Sequence, residues 1–380
     1  MLDSDLIKNE FMLDGDVLYL NHAAVAPWPT RTRDAVCAFA EESSSRGSQG
    51  YLRWLETERR LRAQLAALIN APAGEDIALL KNTSEALSVV AHGLPWQAGD
   101  NVVTSDQEFP SNRIVWESLE PAGVEVRQVD LYADDGPEAA LLAACDERTR
   151  VLAISSVEYA SGLRLDLAAL GKACRERDVL FCVDAIQSVG AVGVDVQASQ
   201  VDFLMADGHK WMLGPEGLAL FYCRPGLRER LRLHQFGWHM VEHAEDFDRR
   251  DWSPAPDARR FECGSPNMLC IHALDASVSL LREVGSATVE DELLRRSRHV
   301  MAAVEASEHL SLTGDTRPGR FAGIVTFRHR RIDSEDLYHR LMARGVMCAK
   351  RGGGVRFSPH FYTPLEVIDR AVALAERGGE

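Results

Sequence analysis

None of the eight cysteines (Cys37, Cys145, Cys174, Cys182, Cys223, Cys263, Cys270, Cys348) is spaced as C-x-x-C. In a chain of 380 residues, long enough to bury its own core, such scattered thiols read as reduced and cytosolic. That argues against zinc ribbons, thioredoxin-like redox motifs and a disulfide scaffold. No stretch reaches about 18 apolar residues, the length that spans a bilayer. The first ten residues carry Asp3, Asp5 and Glu10 instead of a basic segment leading into an apolar one, so the chain reads as soluble, unexported and cytoplasmic. Positive charge is in deficit: 42 Lys+Arg against 57 Asp+Glu leave a formal charge of −15. That balance does not suit neutralising nucleic-acid phosphates or anionic lipid, so neither nucleic acid nor a membrane is an expected partner. An anionic ligand would need a few placed cations. Internal repeats and low-complexity tracts are also missing, and 46% hydrophobic with 26% charged residues is ordinary globular composition. The length suits about two domains.

What is present is an alternation of short β-branched runs with helical patterns, the signature of parallel strands joined by helical crossovers. Candidate strands are Asn101–Thr104, Val124–Val129, Val151–Ser155, Val179–Val183, Phe203–Ala206 and Leu218–Cys223, with helix-forming stretches at Glu138–Ala144 and Leu167–Arg177. Upstream, Trp54, Leu61, Leu65 and Leu68 recur at helical spacing and place one apolar stripe on a long helix. After about Val284 the texture changes to a helix (Glu290–Ala306), a strand (Gly323–Phe327), a helix (Asp333–Arg344), strands near Val346 and Val355, and a last helix from Pro364. This pattern predicts a small α+β domain, preceded by an exposed loop at Ala244–Pro256.

The chemistry concentrates between Asp184 and Pro215. The run Val179-Leu180-Phe181-Cys182-Val183 ends in Asp184, which puts a carboxylate at a strand's C-terminal edge, where open α/β sheets bind ligands. A second run ends in Asp207-Gly208-His209-Lys210-Trp211. A lysine desolvated there can lose its proton and form a Schiff base with an aldehyde. An acid facing it could hold a pyridine nitrogen protonated, which turns pyridoxal phosphate (PLP) into an electron sink. Upstream, Leu79-Leu80-Lys81-Asn82-Thr83-Ser84-Glu85 passes from an apolar run through a cap cluster into a helix; Asn82 and Glu85 resemble a capping box. Free N–H groups and the helix dipole make such a start an anion site, with the Thr83 and Ser84 hydroxyls as further donors.

In chain order, the segments Leu18–Ala24, Asn82–Ala86, Val183–Ser188, Gly208–Trp211 with Gly214–Gly217, and Phe261–Asn267 resemble the class V aminotransferases. These are fold type I PLP enzymes that include cysteine desulfurases, selenocysteine lyases, isopenicillin N epimerase-like and kynureninase-like proteins. The resemblance implies an α/β, aspartate aminotransferase-like fold: a large domain (19–284) with a mostly parallel seven-stranded sheet, a small C-terminal α+β domain (285–380), and an N-terminal segment (1–18) packing with the small domain. It also implies pyridoxal 5'-phosphate, with Lys210 as the catalytic Schiff-base lysine, Asp184 on the pyridine nitrogen and Gln187 on the phenolate oxygen. Thr83, Ser84 and His209 would hold the phosphate, Ser265 would reach it from the other subunit of a homodimer, Phe109 would stack on the ring, and Arg356 and His22 would bind substrate. No metal is implied, and His234, His239 and His243 read as packed or solvated.

Departures from the family pattern bear on the reaction. Phe109 stands where many relatives have a ring-stacking histidine, Tyr159 replaces an asparagine near the ring oxygen, and Asp207 replaces a serine three residues before the lysine. Beside a phosphate, the Asp207 carboxylate is expected to turn away or bond to backbone N–H groups. The loop Lys350–Arg356 lacks the sulfur-accepting cysteine of the desulfurases, and Cys348 lies in an apolar run. Transamination of an amino acid or small amine is therefore the first expectation. Carbon–sulfur or carbon–selenium β-elimination and epimerisation follow as alternatives. A non-catalytic PLP-fold binding protein is a further alternative, opposed by the joint presence of Lys210, Asp184 and Gln187.

Overall fold

The structure, a computed structural model, describes residues 3–133 and 136–379; residues 1 and 2 of the N-terminal segment and the last residue lie outside them. Its centre is a seven-stranded sheet in the order Ile77–Leu80, Ala219–Cys223, Phe203–Asp207, Leu180–Asp184, Thr149–Ser155, Asn101–Ser105, Glu125–Val129. Only Ala219–Cys223 runs against its neighbours. The sheet is the α/β, mostly parallel one of fold type I. The six anticipated strands are its members, and Ile77–Leu80, four residues that sequence periodicity does not separate from the helix after them, is the seventh.

Helices cover both faces, so the central strands are buried throughout and read as continuous apolar runs rather than alternating ones. One face packs Val103, Leu152, Ile154, Phe181, Val183 and Leu204 under the helices Tyr51–Leu68 and Met268–Val284. The other packs Val102, Val151, Ala153, Cys182, Phe203 and Met205 under Thr83–Gly93 and Pro110–Glu117. The expected stripe holds: Trp54, Leu61 and Leu65 are buried on Tyr51–Leu68, with Leu68 packed at its margin. Each such side chain contributes about 1.5–3 kcal/mol.

Gly285, at φ +87°, turns the chain from Met268–Val284 into Ser286–Glu305. Beyond it lies a four-stranded antiparallel sheet in the order Ala349–Arg351, Gly354–Phe357, Val325–His329, Leu310–Leu312. Its core combines Val300, Phe327, Leu341, Phe357 and Ile368 with Leu18 and Leu20 from the chain's start. Leu18–Tyr19 pairs in parallel with Val346–Met347. The N-terminal segment touches the other body as well, since Glu10 accepts from the Arg31 guanidinium at 2.6 Å.

Candidate active site

A cleft of about 340 Å³ opens at the C-terminal edge of the large sheet and is closed on one side by the small sheet. Asp184 and Asp207 are the last residues of adjacent strands, and Lys210 follows in the turn after the second. Gly190, at φ +90°, makes that arrangement possible: a Cβ there would come within 2.4 Å of the Trp211 carbonyl oxygen, so the turn after Asp184 lies directly against the lysine turn. Lys210 is 8% exposed. Burial lowers its ammonium to about 8, against the restoring charge of Asp184, and Arg356 and Arg351 lower it further. Asp184, 2% exposed, is raised by burial to about 6 although it accepts from the Ile186 N–H at 3.0 Å. A lysine readily freed of its proton and a carboxyl able to share one therefore line one cavity.

The helix Thr83–Gly93 points its start into the same space. Asn82 caps it by accepting from Glu85 N–H at 2.9 Å, while Glu85 accepts from Lys81 N–H at 2.6 Å, one residue earlier than a capping box would have it. The Thr83 hydroxyl is buried with no partner, and Ser84 bonds Ser111 at 2.8 Å. His209 lines the cleft, its Nδ1 3.0 Å from the Asp207 carboxylate. Asp207 thus turns to the histidine ring and not to backbone N–H groups, although neither facing atom makes a hydrogen bond. Phe109 stands with its ring centroid 5.6 Å from Lys210 Nζ and meets Tyr159 edge to face at 5.2 Å. Gln187 donates to the Ala23 carbonyl at 3.1 Å and accepts from the Trp211 indole at 2.8 Å. Arg356, 2% exposed and lowered by burial to about 9, donates to the Tyr159 carbonyl at 2.6 Å, and its Nε has no partner.

The cleft therefore brings together Thr83, Ser84, Phe109, Asp184, Gln187, His209, Lys210 and Arg356. Two expected residues lie elsewhere. His22 is fully buried with both ring nitrogens occupied, by the Ser358 carbonyl at 2.8 Å and the Tyr362 hydroxyl at 2.7 Å, and burial lowers it to about 4. It packs behind the cleft against Ser358 and Tyr362, and does not line the cavity. Ser265 is exposed and outside the cleft of its own chain.

Sequence reasoning missed three things. Arg351 and Glu216 also line the cleft. Directly beneath Phe109 and Tyr159 in sequence, Glu108 and Glu158 form a buried acid pair joined through Ser105, at 3.2 and 2.9 Å. Glu108 also accepts from Ser155 N–H at 2.7 Å, Ser155 Oγ at 2.6 Å and Asn112 at 2.8 Å, whereas Glu158 Oε2 has no partner. Burial raises both, and Glu158, pressed further by the Glu108 charge, well above the usual carboxylate range. With one oxygen unpartnered and the Glu108 charge beside it, Glu158 is the member whose neutral form is favoured. The acids beside two aromatic residues were the available signal; their convergence across the sheet was not.

An orphaned hydroxyl at a helix start, an unpaired arginine nitrogen and a desolvated lysine facing an acid fit a phosphorylated aldehyde with a basic ring. Comparison with known proteins agrees. The Aminotransferase class-V family matches residues 18–370. A probable cysteine desulfurase of Methanothermobacter thermautotrophicus is 30% identical over 387 residues, covering 95% of this chain and 94% of that one. A cysteine desulfurase of Salmonella dublin is 29% identical, covering 93% and 91%. Among solved structures, a cysteine desulfurase from Thermococcus onnurineus superposes with a TM-score of 0.87 at 23% identity, covering 99% of this chain and 98% of that one. The cystine C–S lyase C-DES, in complex with its product cysteine persulfide, gives 0.88 at 21%, covering 95% and 98%; another C-DES structure holds glycine covalently linked to its PLP cofactor. The chain belongs to the class-V aminotransferase family.

Proposed function

We propose that the chain is a PLP-dependent carbon–sulfur lyase acting on a cysteine-type amino acid, and that it releases the sulfur instead of storing it on a thiol of its own. The observation that carries the reading is the cleft itself, where Lys210, Asp184, the unpartnered Thr83 hydroxyl and Arg356 line one cavity. The named relatives favour carbon–sulfur cleavage over the transamination that the sequence put first.

Thr83, Ser84 and His209 would hold the phosphate, Asp184 the ring nitrogen, and Lys210 the aldehyde carbon. Bound there, PLP supplies an aldehyde that condenses with amines and a ring that accepts the electron pair left at the substrate α-carbon. Gln187, which donates one amide hydrogen to the Ala23 carbonyl, would offer the other to the ring oxygen. Phe109 presents a face to the ring and offers no proton. Arg356 takes the α-carboxylate, which its partnerless Nε awaits. Lys210, desolvated in the cleft, would serve as the base for the α-proton. The net change is R–S–CH₂–CH(NH₃⁺)–COO⁻ plus water to R–SH, pyruvate and ammonium, the Cβ–S electron pair leaving with sulfur.

Among the described residues no cysteine lines the cleft. Cys348 is 2% exposed and burial pushes its thiol up to about 12, so it is neither reachable nor a thiolate. An exposed Ser265 outside its own cleft supports its expected use by a second copy in a homodimer. The test is incubation of the PLP-loaded protein with cystine and with cysteine. Pyruvate and ammonium over many turnovers are expected; alanine with an enzyme persulfide, or keto acid in a single turnover without ammonium, would overturn the reading.

A further inference from the structure

Two arginines face the cleft from one hairpin, and the reading above uses one of them. Arg351 ends the strand Ala349–Arg351, Arg356 lies in Gly354–Phe357, and the register opposes Arg351 to Gly354 and Ala349 to Arg356. Residues opposite one another on antiparallel strands share a face, as do residues two apart along a strand. Arg351 and Arg356 therefore sit diagonally on the same face, with the small residues Ala349 and Gly354 completing the square. Diagonal neighbours stand about 7–8 Å apart. The turn between the strands fixes that spacing: Gly352 at φ +56° and Gly353 at φ +68° are both left-handed, the two-residue turn whose twist matches the strands.

Both side chains line the cleft. Among the described residues neither arginine has a carboxylate partner; Arg351 donates only to the carbonyl of Lys350 at 2.7 Å, while Lys350 itself pairs with Glu335. One α-carboxylate engages one guanidinium as a fork, which leaves the second, in the same cleft, free for another anionic group.

We propose that the substrate is an α-amino acid whose side chain ends in an anion, a carboxylate or an oxidised sulfur group, which Arg351 holds while Arg356 holds the α-carboxylate. The proposal rests on the lyase reading for the place of the reacting carbon. Asp184 and Asp207 are directed to the ring site and to His209, which leaves Glu216, exposed at the rim, as the acid free to receive a cationic side chain.

The test uses the PLP-loaded protein and two non-reacting probes, succinate and propionate, with dissociation constants from calorimetry. Succinate is expected to bind about tenfold more tightly than propionate, a modest ratio because Arg351 is exposed. Arg351→Gln should erase the preference and leave propionate unchanged, Arg351→Lys should restore part of it, and Arg356→Gln should weaken both probes. In turnover, S-sulfocysteine should exceed cysteine and S-(2-aminoethyl)cysteine in kcat/KM, and Arg351→Gln should level the three. Equal affinities in the parent protein, equal losses of both probes in Arg351→Gln, or preference for the aminoethyl compound would overturn the Arg351 assignment while pyruvate and ammonium released over many turnovers still upheld the lyase reading. Absence of that release with every compound would overturn both.

Discussion

The cluster around Arg62 and the cluster in the cleft, both buried, are built on opposite rules. Around Arg62, at the edge of the large sheet, every charge is answered. Its guanidinium donates to Glu262 at 2.6 and 2.8 Å, to Glu58 and to the Ile77 carbonyl at 2.7 Å, and Glu262 also accepts from Leu79 N–H at 2.7 Å. Burial works against the Arg62 charge, but the two carboxylates more than offset it. His239, 3.6 Å from Glu262, completes a group that by composition resembles a metal site, but a guanidinium already neutralises its acids. In the cleft, by contrast, Lys210 and Arg356 are lowered, Asp184 is raised, and the Thr83 hydroxyl, the His209 Nδ1 and the Arg356 Nε lack hydrogen-bond partners. The first cluster pairs its guanidinium with both carboxylates without a ligand, leaving the His239 Nδ1 as its unpartnered atom, and serves the fold. The second gathers desolvated cations and unpartnered donors that a ligand would satisfy.

The sharpest way to break this contrast is to remove one charge from each cluster. Lys210→Ala should reduce turnover by at least about 10⁴-fold and abolish borohydride labelling, because both the attachment point and the base are lost. Its urea midpoint should stay where it was or rise, since the lost ammonium was desolvated without full compensation. A labelled peptide containing another lysine would remove Lys210 from its role.

Arg62→Met should behave in the reverse way. Two carboxylates would be left buried beside one another, at a cost of about 3–5 kcal/mol in unfolding free energy. The kcat of the folded fraction should hold within about twofold. If stability were unchanged and turnover fell instead, the assignment of the two clusters to fold and function would be reversed.

Much of this contrast is legible in the sequence, and the reason lies in how local each signal is. Asp184 and Asp207 each close an apolar run, and Lys210 follows the second by three residues, so their place at a strand's C-terminal edge follows from a few residues. The same holds for Asn82 and the helix it caps. Glu58, Arg62 and Glu262 meet across about 200 positions, and no periodicity in the helix that carries the first two announces the third. Arg351 was visible as one of several charges in a glycine-rich loop; only the register of the hairpin puts it on the face of Arg356. His22 is the complementary case. Its position in the chain matched the family, but the Ser358 carbonyl and the Tyr362 hydroxyl, both more than 300 residues away, occupy its ring.

The smallest expected effect concerns Glu158, which belongs to neither kind of cluster: an acid in the site's foundation whose burial favours the neutral form. Ser105 has one hydroxyl hydrogen and faces both acids. If it donates to Glu108, it can accept from a protonated Glu158, an arrangement in which each group keeps a partner. The folded protein then binds the Glu158 proton well above the pH at which the unfolded chain releases it, near 4.5. Above that pH the native state holds more protons than the unfolded one, so this residue's contribution is fully present at low pH and is lost as pH rises toward the folded value. Glu158→Gln imitates the neutral acid and carries no proton to lose. The difference in unfolding free energy between the parent and Glu158→Gln should be near zero at pH 4. From there it should grow in favour of the glutamine variant by up to about 1.4 kcal/mol per pH unit. Urea titrations at pH 4, 5.5 and 7 measure it. A constant difference across that range would mean that Glu158 is ionised in the fold, and the pair beneath Phe109 and Tyr159 would then have to be supported by a cation instead of a shared proton.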